Sequence, residues 1–451
     1  MESLRSGEMP GVAHLVSRAV QIDSPSVRAW LDVAETPRTV WSAPSEASVV
    51  GSGAAATLSA DGPDRFAAIK ETAETLFSSG DVHAGTEAAC PRLFGGFAFH
   101  DRDEDGAPWD AFPGARFVLP RVQITEAENG TWLTVNAVGP DADAESVETR
   151  LAAERERIAD LPDPGPVADP PGVVSRTRTM STDDWRESVE AAVERIRAGD
   201  LQKVVLAQAL RTELAREVSI PDLLARLADT YPDCYRFLVE PEGAEPRASF
   251  FGATPERLVK RRGRTVETGA LAGTTGRGDT PTEDEWLAEE LRDSEKNAHE
   301  HQLVADAIRD QLAPLASSVR TGERSVRRLA TVQHLFTPIT ATLSRDQHVL
   351  SLVEALHPTP AVGGLPPERA LETIRDTEPF DRGWYAAPVG WFDAAGNGSF
   401  AVALRSAVAR ETTATLFAGV GIVADSDPDR EWDEVQLKYR PILDELEARV
   451  A

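Results

Sequence analysis

The chain carries 47 basic residues, of which only five are lysine: Lys70, Lys203, Lys260, Lys296 and Lys438. Lysine can lose its proton when buried and act as a base, whereas arginine cannot. A sequence that uses arginine almost everywhere is therefore expected to keep lysine where an ammonium or a free amine is needed. Three of the five sit among other reactive side chains, in LQKVVLAQ, EKNAHEHQLV and EWDEVQLK. In the last segment Glu431 and Glu434 share a helical face with Lys438 one turn further on; in the second, Lys296 and Glu300 are one turn apart. Two helices turning such carboxylates toward each other could hold Mg2+, which needs one or two protein carboxylates besides water and a substrate anion. The same spacing describes ordinary charge pairs on a solvated face, the commoner use in an acidic chain. Glu256 ends the apolar run FFGATPE. Burial there would raise its pKa and suit it to donate a proton; capping a helix is the other use of such a carboxylate.

Other patterns lead elsewhere. His299 and His301 are two apart and do not share a helical face, so they make a poor metal pair. His334 and His357 lie in mixed apolar surroundings and read, on their own, as structural. Asp101, Asp103, Asp105 and Gly106 imitate a calcium-binding loop, but its twelfth position is Phe112, where a bidentate carboxylate is required. An acidic surface turn is expected instead. Gly419, Gly421 and Ala424 match a dinucleotide fingerprint, yet DSDPDR follows as a turn rather than the helix that would receive a pyrophosphate. A glycine pair at a strand end still offers backbone N–H groups to an anion.

At 451 residues, with 74 acidic side chains and a formal charge of −27, the chain can bury a large core but offers no basic surface. That argues against nucleic-acid and anionic-membrane binding, which need clustered positive charge. Acid excess with lysine depletion suits a high-salt cytoplasm, where screening relieves self-repulsion. Cys90 and Cys234 form no disulfide framework or metal knuckle and are expected to be unpaired core thiols. The start MESLRSGEMPG lacks a basic region followed by an apolar one, and no apolar run reaches membrane-spanning length. A soluble cytoplasmic protein is expected.

The elements that must position these residues follow from periodicity. LPDPGPVADPPGV at 161–173 reads as a connector. Before it, WLTVNAV alternates as a strand, ESVETRLAAERERIAD reads as a helix, and RFVLPRVQI suggests a strand whose proline sits near an edge. Beyond it, Ser181 caps a helix with Trp185, Val189, Val193 and Ile196 inward, stopped by Gly199. KVVLAQALRTEL is a strand with Lys203, Val205, Ala207 and Ala209 on one face, the floor of a pocket. One long helix is expected from about 282 to beyond 308, with Trp286, Leu287, Leu291, Leu303, Val304 and Ala307 as its contacts. Another spans 430–451 with Trp432, Val435, Tyr439, Leu443 and Leu446 inward, and GSFAVALRSAVA and TATLFAGVGIVA supply short strands between them.

In order, KVVLAQ, FFGATPERL, TGALAGTTGRG, EKNAHEHQLV, VQHLFTPI, LHPTPAVGG, EPFDRGWYAAPVGWFD, FAVALRS, LFAGVGIV and EWDEVQLK resemble the chorismate-utilising family of isochorismate, salicylate, anthranilate and aminodeoxychorismate synthases. The matches run from 203 to 441, and RLFGGFAFH with Trp109 and RFVLPRV resembles the amino-terminal part of the isochorismate synthase branch. Within the family, amino-adding members carry PIAGT or PIKGT; ALAGT puts Leu271 and Ala272 there, which removes the nucleophilic lysine of the PIKGT type. Lys203 matches the general base of water-using members, and Ala361 and Val362 in LHPTPAVGG look like the isochorismate synthase version. Gln208 stands where the family usually has arginine; by alternation it points away from Lys203, which implies a packing or surface role.

The resemblance implies an Mg2+-dependent isomerisation of chorismate to isochorismate, feeding menaquinone or siderophore synthesis. It places the ion on Glu300 and Glu434, with Glu431 acting through water, and makes Lys203 a base whose pKa is lowered by an apolar face and neighbouring positive charge. Glu256 becomes the acid. Tyr385, Arg405 and the N–H groups of Gly419 and Gly421 would hold the enolpyruvyl carboxylate, with Leu271, Gly273, Thr274, His334, Ala361 and Lys438 as further substrate contacts. The implied fold is α+β: two stacked antiparallel sheets covered by helices, with residues 1–160 and 176–451 joined by a connector at 161–175 in one structural domain. Chorismate is the expected partner of a monomer or weak homo-oligomer.

Overall fold

A computed structural model describes residues 4–5, 14–101 and 106–447. Of the acidic turn expected near Asp101, residues 102–105 lie outside the described residues, as do residues 448–451 at the expected end of the last helix.

The described strands form one hydrogen-bonded ladder with two arms. Pairing runs from Val173–Arg178 through Lys203–Leu214, Thr413–Ile422, Ser406–Arg410, Ser249–Thr254 and Tyr235–Glu240 to Arg38–Ser42. It continues across Ser48–Ala60 and Ala115–Ala127 into Arg92–Phe97, Pro388–Asp393, Gly398–Val402, Arg257–Arg262, Thr265–Gly276 and Val332–Leu343. The ladders are antiparallel except two short parallel ones, Leu4–Arg5 with Leu58–Ser59 and Val16–Arg18 with Asp81–His83. The architecture is α+β, as expected. The two layers share a seam because Ser48–Ala60 and Ala115–Ala127, thirteen residues each, are long enough to serve both arms.

That seam corrects the placement of Pro120. It lies inside an interior strand, not near an edge. The strand pairs with Arg92–Phe97 only up to Val118 and with Gly130–Gly139 only from Val122, so the proline occupies the gap between two partners, where no ladder N–H is needed. A register shift at Ala54/Ala56 faces it on the other side, and the Asn136 side chain takes the Pro120 carbonyl at 2.8 Å.

The expected long helix is two: Pro281–Asp293 and Glu295–Leu312. Ser294 ends the first and caps the second, its hydroxyl accepting the Asn297 N–H. The break rotates the phase of the first helix. Trp286 is 59% exposed, and Ala288 and Leu291 are the buried contacts. The Ser181-capped helix, Thr182–Arg197, opens with a full capping box to Asp184, and KVVLAQALRTEL forms the strand Lys203–Leu214. Residues 161–172 contain no helix or strand, and 173–175 already belong to the Val173–Arg178 strand. FAVALRS splits between Gly398–Val402 and Ser406–Arg410, and the turn between them puts Arg405 at φ +47. The core is rich in aromatic side chains: Trp109 stacks on Phe417, which in turn stacks on Tyr385 at 5.3 Å. No described helix is long and apolar enough to cross a membrane.

Candidate active site

One cavity of about 900 Å3, open mouth included, lies between the two arms. Its walls are the Lys203–Leu214 and Thr413–Ile422 strands from one arm and Thr265–Gly276 and Val332–Leu343 from the other. The Glu295–Leu312 and Pro428–Leu446 helices complete it. Every residue singled out as a site candidate lines this cavity.

The charged groups are paired across elements. Lys203 Nζ lies 2.8 Å from Glu300 Oε1, Lys296 Nζ 2.9 Å from Glu431 Oε1, and Lys438 Nζ 2.8 Å from Glu434 Oε1. The three lysines of the reactive segments thus face the three carboxylates, one each. Only Lys438–Glu434 is the same-helix pair that spacing suggests; Lys296 reaches the other helix rather than Glu300. Burial would raise the Glu300 pKa, but the Lys203 ammonium, backed by Lys438 and Lys296, holds it below the usual carboxylate range. Glu431 stays raised because burial and Glu434 outweigh Lys296. Lys203 is buried, yet its immediate partner is an anion, which corrects the expectation of a base flanked by apolar groups and positive charge. Gly421 makes this contact possible: a Cβ there would stand 2.5 Å from Glu300 Oε1 and 2.8 Å from Lys203 Cε.

Glu256 follows the Ser249–Thr254 strand and caps no helix. Burial raises its pKa from 4.5 to about 7 against the pull of Lys203, Lys438 and Arg405. It therefore titrates near neutral pH, beside a lysine in the same cavity.

On the opposite arm the ladder shifts register between Ala272 and Thr274, and Gly273, at φ +77, is the extra residue. The bulge sets the Thr274 hydroxyl 3.1 Å from His334 Nδ1. Arg405 lies across the cavity, 7% exposed, with one terminal nitrogen on His334 Nε2 and the other, Nη1, buried without a partner. Left-handed backbone at Arg405 and at Ala386, beside Tyr385, is the kind of strain that gathers at functional sites. Leu271, Ala361 and the Tyr385 ring give the cavity its apolar walls.

The glycine pair presents backbone donors. Val205 and Ala207 send their N–H groups out of the ladder, to Gly363 O and Glu378 Oε1. Their partners opposite are Gly421 and Gly419. In an antiparallel ladder such pairs turn all their N–H and C=O groups outward. Accordingly Lys438 takes the Gly419 carbonyl at 2.9 Å.

Two contributors were missed. Asn297 lines the cavity, and its only sequence signal was its place beside Lys296. Arg382, 1% exposed, donates to the Val205 and Val362 carbonyls and to Glu378, which itself accepts from Ala207 N–H. This pair fastens the Lys203–Leu214 strand to the EPFDRGW loop; its i,i+4 spacing was visible, its burial was not. Gln208 is fully buried on the other face, so the surface alternative is excluded; its amide has no partner, and nothing in the structure explains it. His357 is structural, with Nε2 2.9 Å from the Phe99 carbonyl.

The family described as chorismate binding enzymes matches residues 2–447, and the chain belongs to it. It is 38% identical over 420 residues to the isochorismate synthase MenF of Bacillus subtilis, covering 91% of this chain and 88% of that one. It is 37% identical to the salicylate biosynthesis isochorismate synthase of Pseudomonas aeruginosa, covering 93% and 87%. Among solved structures, the menaquinone-specific isochorismate synthase MenF of Escherichia coli superposes with a TM-score of 0.79 at 27% identity, covering 98% of this chain and 97% of that one.

Proposed function

We propose that this cavity isomerises chorismate to isochorismate, adding water at ring carbon two and expelling the hydroxyl at carbon four. The observation that carries the reading is an amine and a carboxyl that keeps its proton to about pH 7 in one cavity, beside an arginine with a free buried nitrogen. Lys203 takes a proton from the attacking water, and Glu256 gives one to the departing hydroxyl, so one water enters and one leaves. Covalent attack from position 272 is excluded because Ala272 stands where members of the PIKGT type carry a nucleophilic lysine. Arg405 binds the enolpyruvyl carboxylate through its unpaired Nη1, assisted by Tyr385 and the outward N–H groups of Gly419 and Gly421. Lys438 and Thr274 contact the substrate from opposite walls.

Glu300, Glu431 and Glu434 are a hard, all-oxygen donor set fit for Mg2+. Among the described residues no three such side chains form a ready-made metal cluster, so one or two of these carboxylates with water and the substrate would hold the ion. When bound, Mg2+ supplies positive charge to the ring carboxylate. Glu300 and Glu434 would hold the ion, and Lys203, 2.8 Å from Glu300, is the amine placed to take a proton from water. With three Lys–Glu pairs neutral, Arg405 leaves the cavity cationic below about pH 7, where Glu256 is protonated, the sign a dianionic substrate needs inside an acidic protein.

The acidic, lysine-poor surface points to a high-salt cytoplasm, with the product entering menaquinone or siderophore synthesis. Purified protein is incubated with chorismate and Mg2+ in concentrated KCl and the products are separated chromatographically. Isochorismate is expected to accumulate; salicylate with pyruvate, or a requirement for ammonia, would overturn the assignment.

A further inference from the structure

We infer that His334 acts as a positioning residue for Arg405 rather than as a contact of the substrate. The inference rests on the proposal that Arg405 binds the substrate carboxylate.

Both ring nitrogens are already engaged. A guanidinium has only donors, so the 2.8 Å contact from Arg405 Nη2 requires a lone pair on His334 Nε2. The proton must then sit on Nδ1, which lies 3.1 Å from Thr274 Oγ1 and 3.4 Å from the Gly273 carbonyl. The ring is 5% exposed, and burial together with the neighbouring Arg405 charge holds its pKa well below the ordinary histidine value. It is a neutral acceptor with one tautomer, set by a glycine bulge on the neighbouring strand.

The choice of a neutral acceptor matters for what Arg405 can do. Its side chain makes no ion pair with a carboxylate among the described residues, and its one hydrogen-bond partner is this imidazole. A glutamate at position 334 would hold the guanidinium equally well but would neutralise it. Histidine fixes the fork and leaves its charge unspent. Arg405 needs such a tether, because its backbone sits at φ +47 in a turn and its neighbour Arg327 adds charge of the same sign. The Thr274–His334–Arg405 chain therefore converts a backbone bulge on one arm into the aim of a cation facing the other. A tethered donor loses less freedom on binding than a mobile one.

The test is a cycle of His334→Leu, Arg405→Met and the double variant, read as KM and kcat for chorismate, with His334→Gln as the conservative rescue. We expect His334→Leu to raise KM roughly tenfold or more, as for a buried hydrogen bond to a charged group, with a much smaller change in kcat. His334→Gln, whose amide oxygen can accept from Arg405, should recover part of that loss. In the Arg405→Met background, His334→Leu should add nothing. Additive losses, or equal losses in kcat and KM without rescue by glutamine, would mean that the histidine acts independently of Arg405 and would overturn the inference alone. An unchanged KM in Arg405→Met would instead sink the carboxylate assignment, and the inference with it. Should the leucine variant fail to fold, the ring-nitrogen chemical shifts of His334 in the unmodified enzyme decide. A proton on Nδ1 and no titration across the neutral range are expected; a proton on Nε2 would refute the arrangement.

Discussion

Glu256 connects the proposed chemistry to stability in a way that one substitution separates. Its carboxyl is buried among cations, and desolvation still dominates, lifting the pKa from 4.5 to about 7. Below about pH 4.5 the group is protonated in the folded and unfolded chains alike and costs the fold nothing. As pH climbs toward 7 the unfolded chain releases its proton first, so stability is lost across that window. Above it both states are ionised and the folded protein carries the whole penalty. With about 1.4 kcal/mol per pKa unit, the penalty is on the order of 3 kcal/mol. Glu256→Gln is neutral at every pH and escapes it. For a chain of 451 residues, an unfolding entropy of about 2.1 cal/mol/K per residue turns that energy into roughly 3 °C of Tm. Scanning calorimetry without metal or substrate, at about pH 5 and about pH 8.5 and matched salt, should show the glutamine variant gaining most of that advantage between the two conditions. Turnover should be lost in the variant at both, while kcat/KM of the unmodified enzyme falls as pH rises through about 7. A Tm difference that does not change between the two conditions would refute the reasoning, because the carboxyl would then be ionising as it does in water.

Other substitutions probe the paired charges. Lys203→Ala should abolish turnover and, by leaving Glu300 buried without its partner, destabilise the metal-free protein by about 3–5 kcal/mol in urea titrations; Lys203→Arg should keep most of the stability and none of the turnover. Glu300→Ala should weaken the Mg2+ dependence of activity, and an unchanged Mg2+ titration would count against its role as a ligand. Gly421→Ala should cost little stability, since its Cβ meets the tips of flexible side chains, yet displacing Lys203 and Glu300 should slow turnover on the order of a hundredfold. Ser294→Ala removes the cap between two helices and should cost about 1 kcal/mol in denaturant unfolding with kcat retained.

Much of the scaffold was legible because its signals are local. Alternation located the Lys203–Leu214 strand, and Ser181 with Asp184 announced a helix start. Where the reading failed, a non-local partner or a competing local bond decided. Apolar spacing continues across Ser294, so periodicity alone joined two helices that the serine hydroxyl separates, and Trp286 was placed inward on a phase that the break destroys. Pro120 looked like an edge residue because sequence does not show that one strand can change partners midway.

The site divides along the same line. Its membership was legible from scarce lysines and from resemblance, but its electrostatics was not. The helical spacing rule finds neighbours on one helix, and it therefore found Lys438–Glu434. It could not find Lys203–Glu300 or Lys296–Glu431, which join different elements. Those pairs supply a physical reason for lysine at these positions. A guanidinium facing Glu300 would bind both carboxylate oxygens and keep its proton at any working pH, whereas an ammonium makes a single-point contact that a divalent cation can replace. Arginine serves where the charge stays: Arg382 is locked to Glu378 beneath the strand, and Arg405 contacts His334, which on the proposed mechanism leaves its charge for the substrate. On the proposed mechanism, the division of labour between the two basic residues is a division between contacts that open for the reaction and contacts that stay closed.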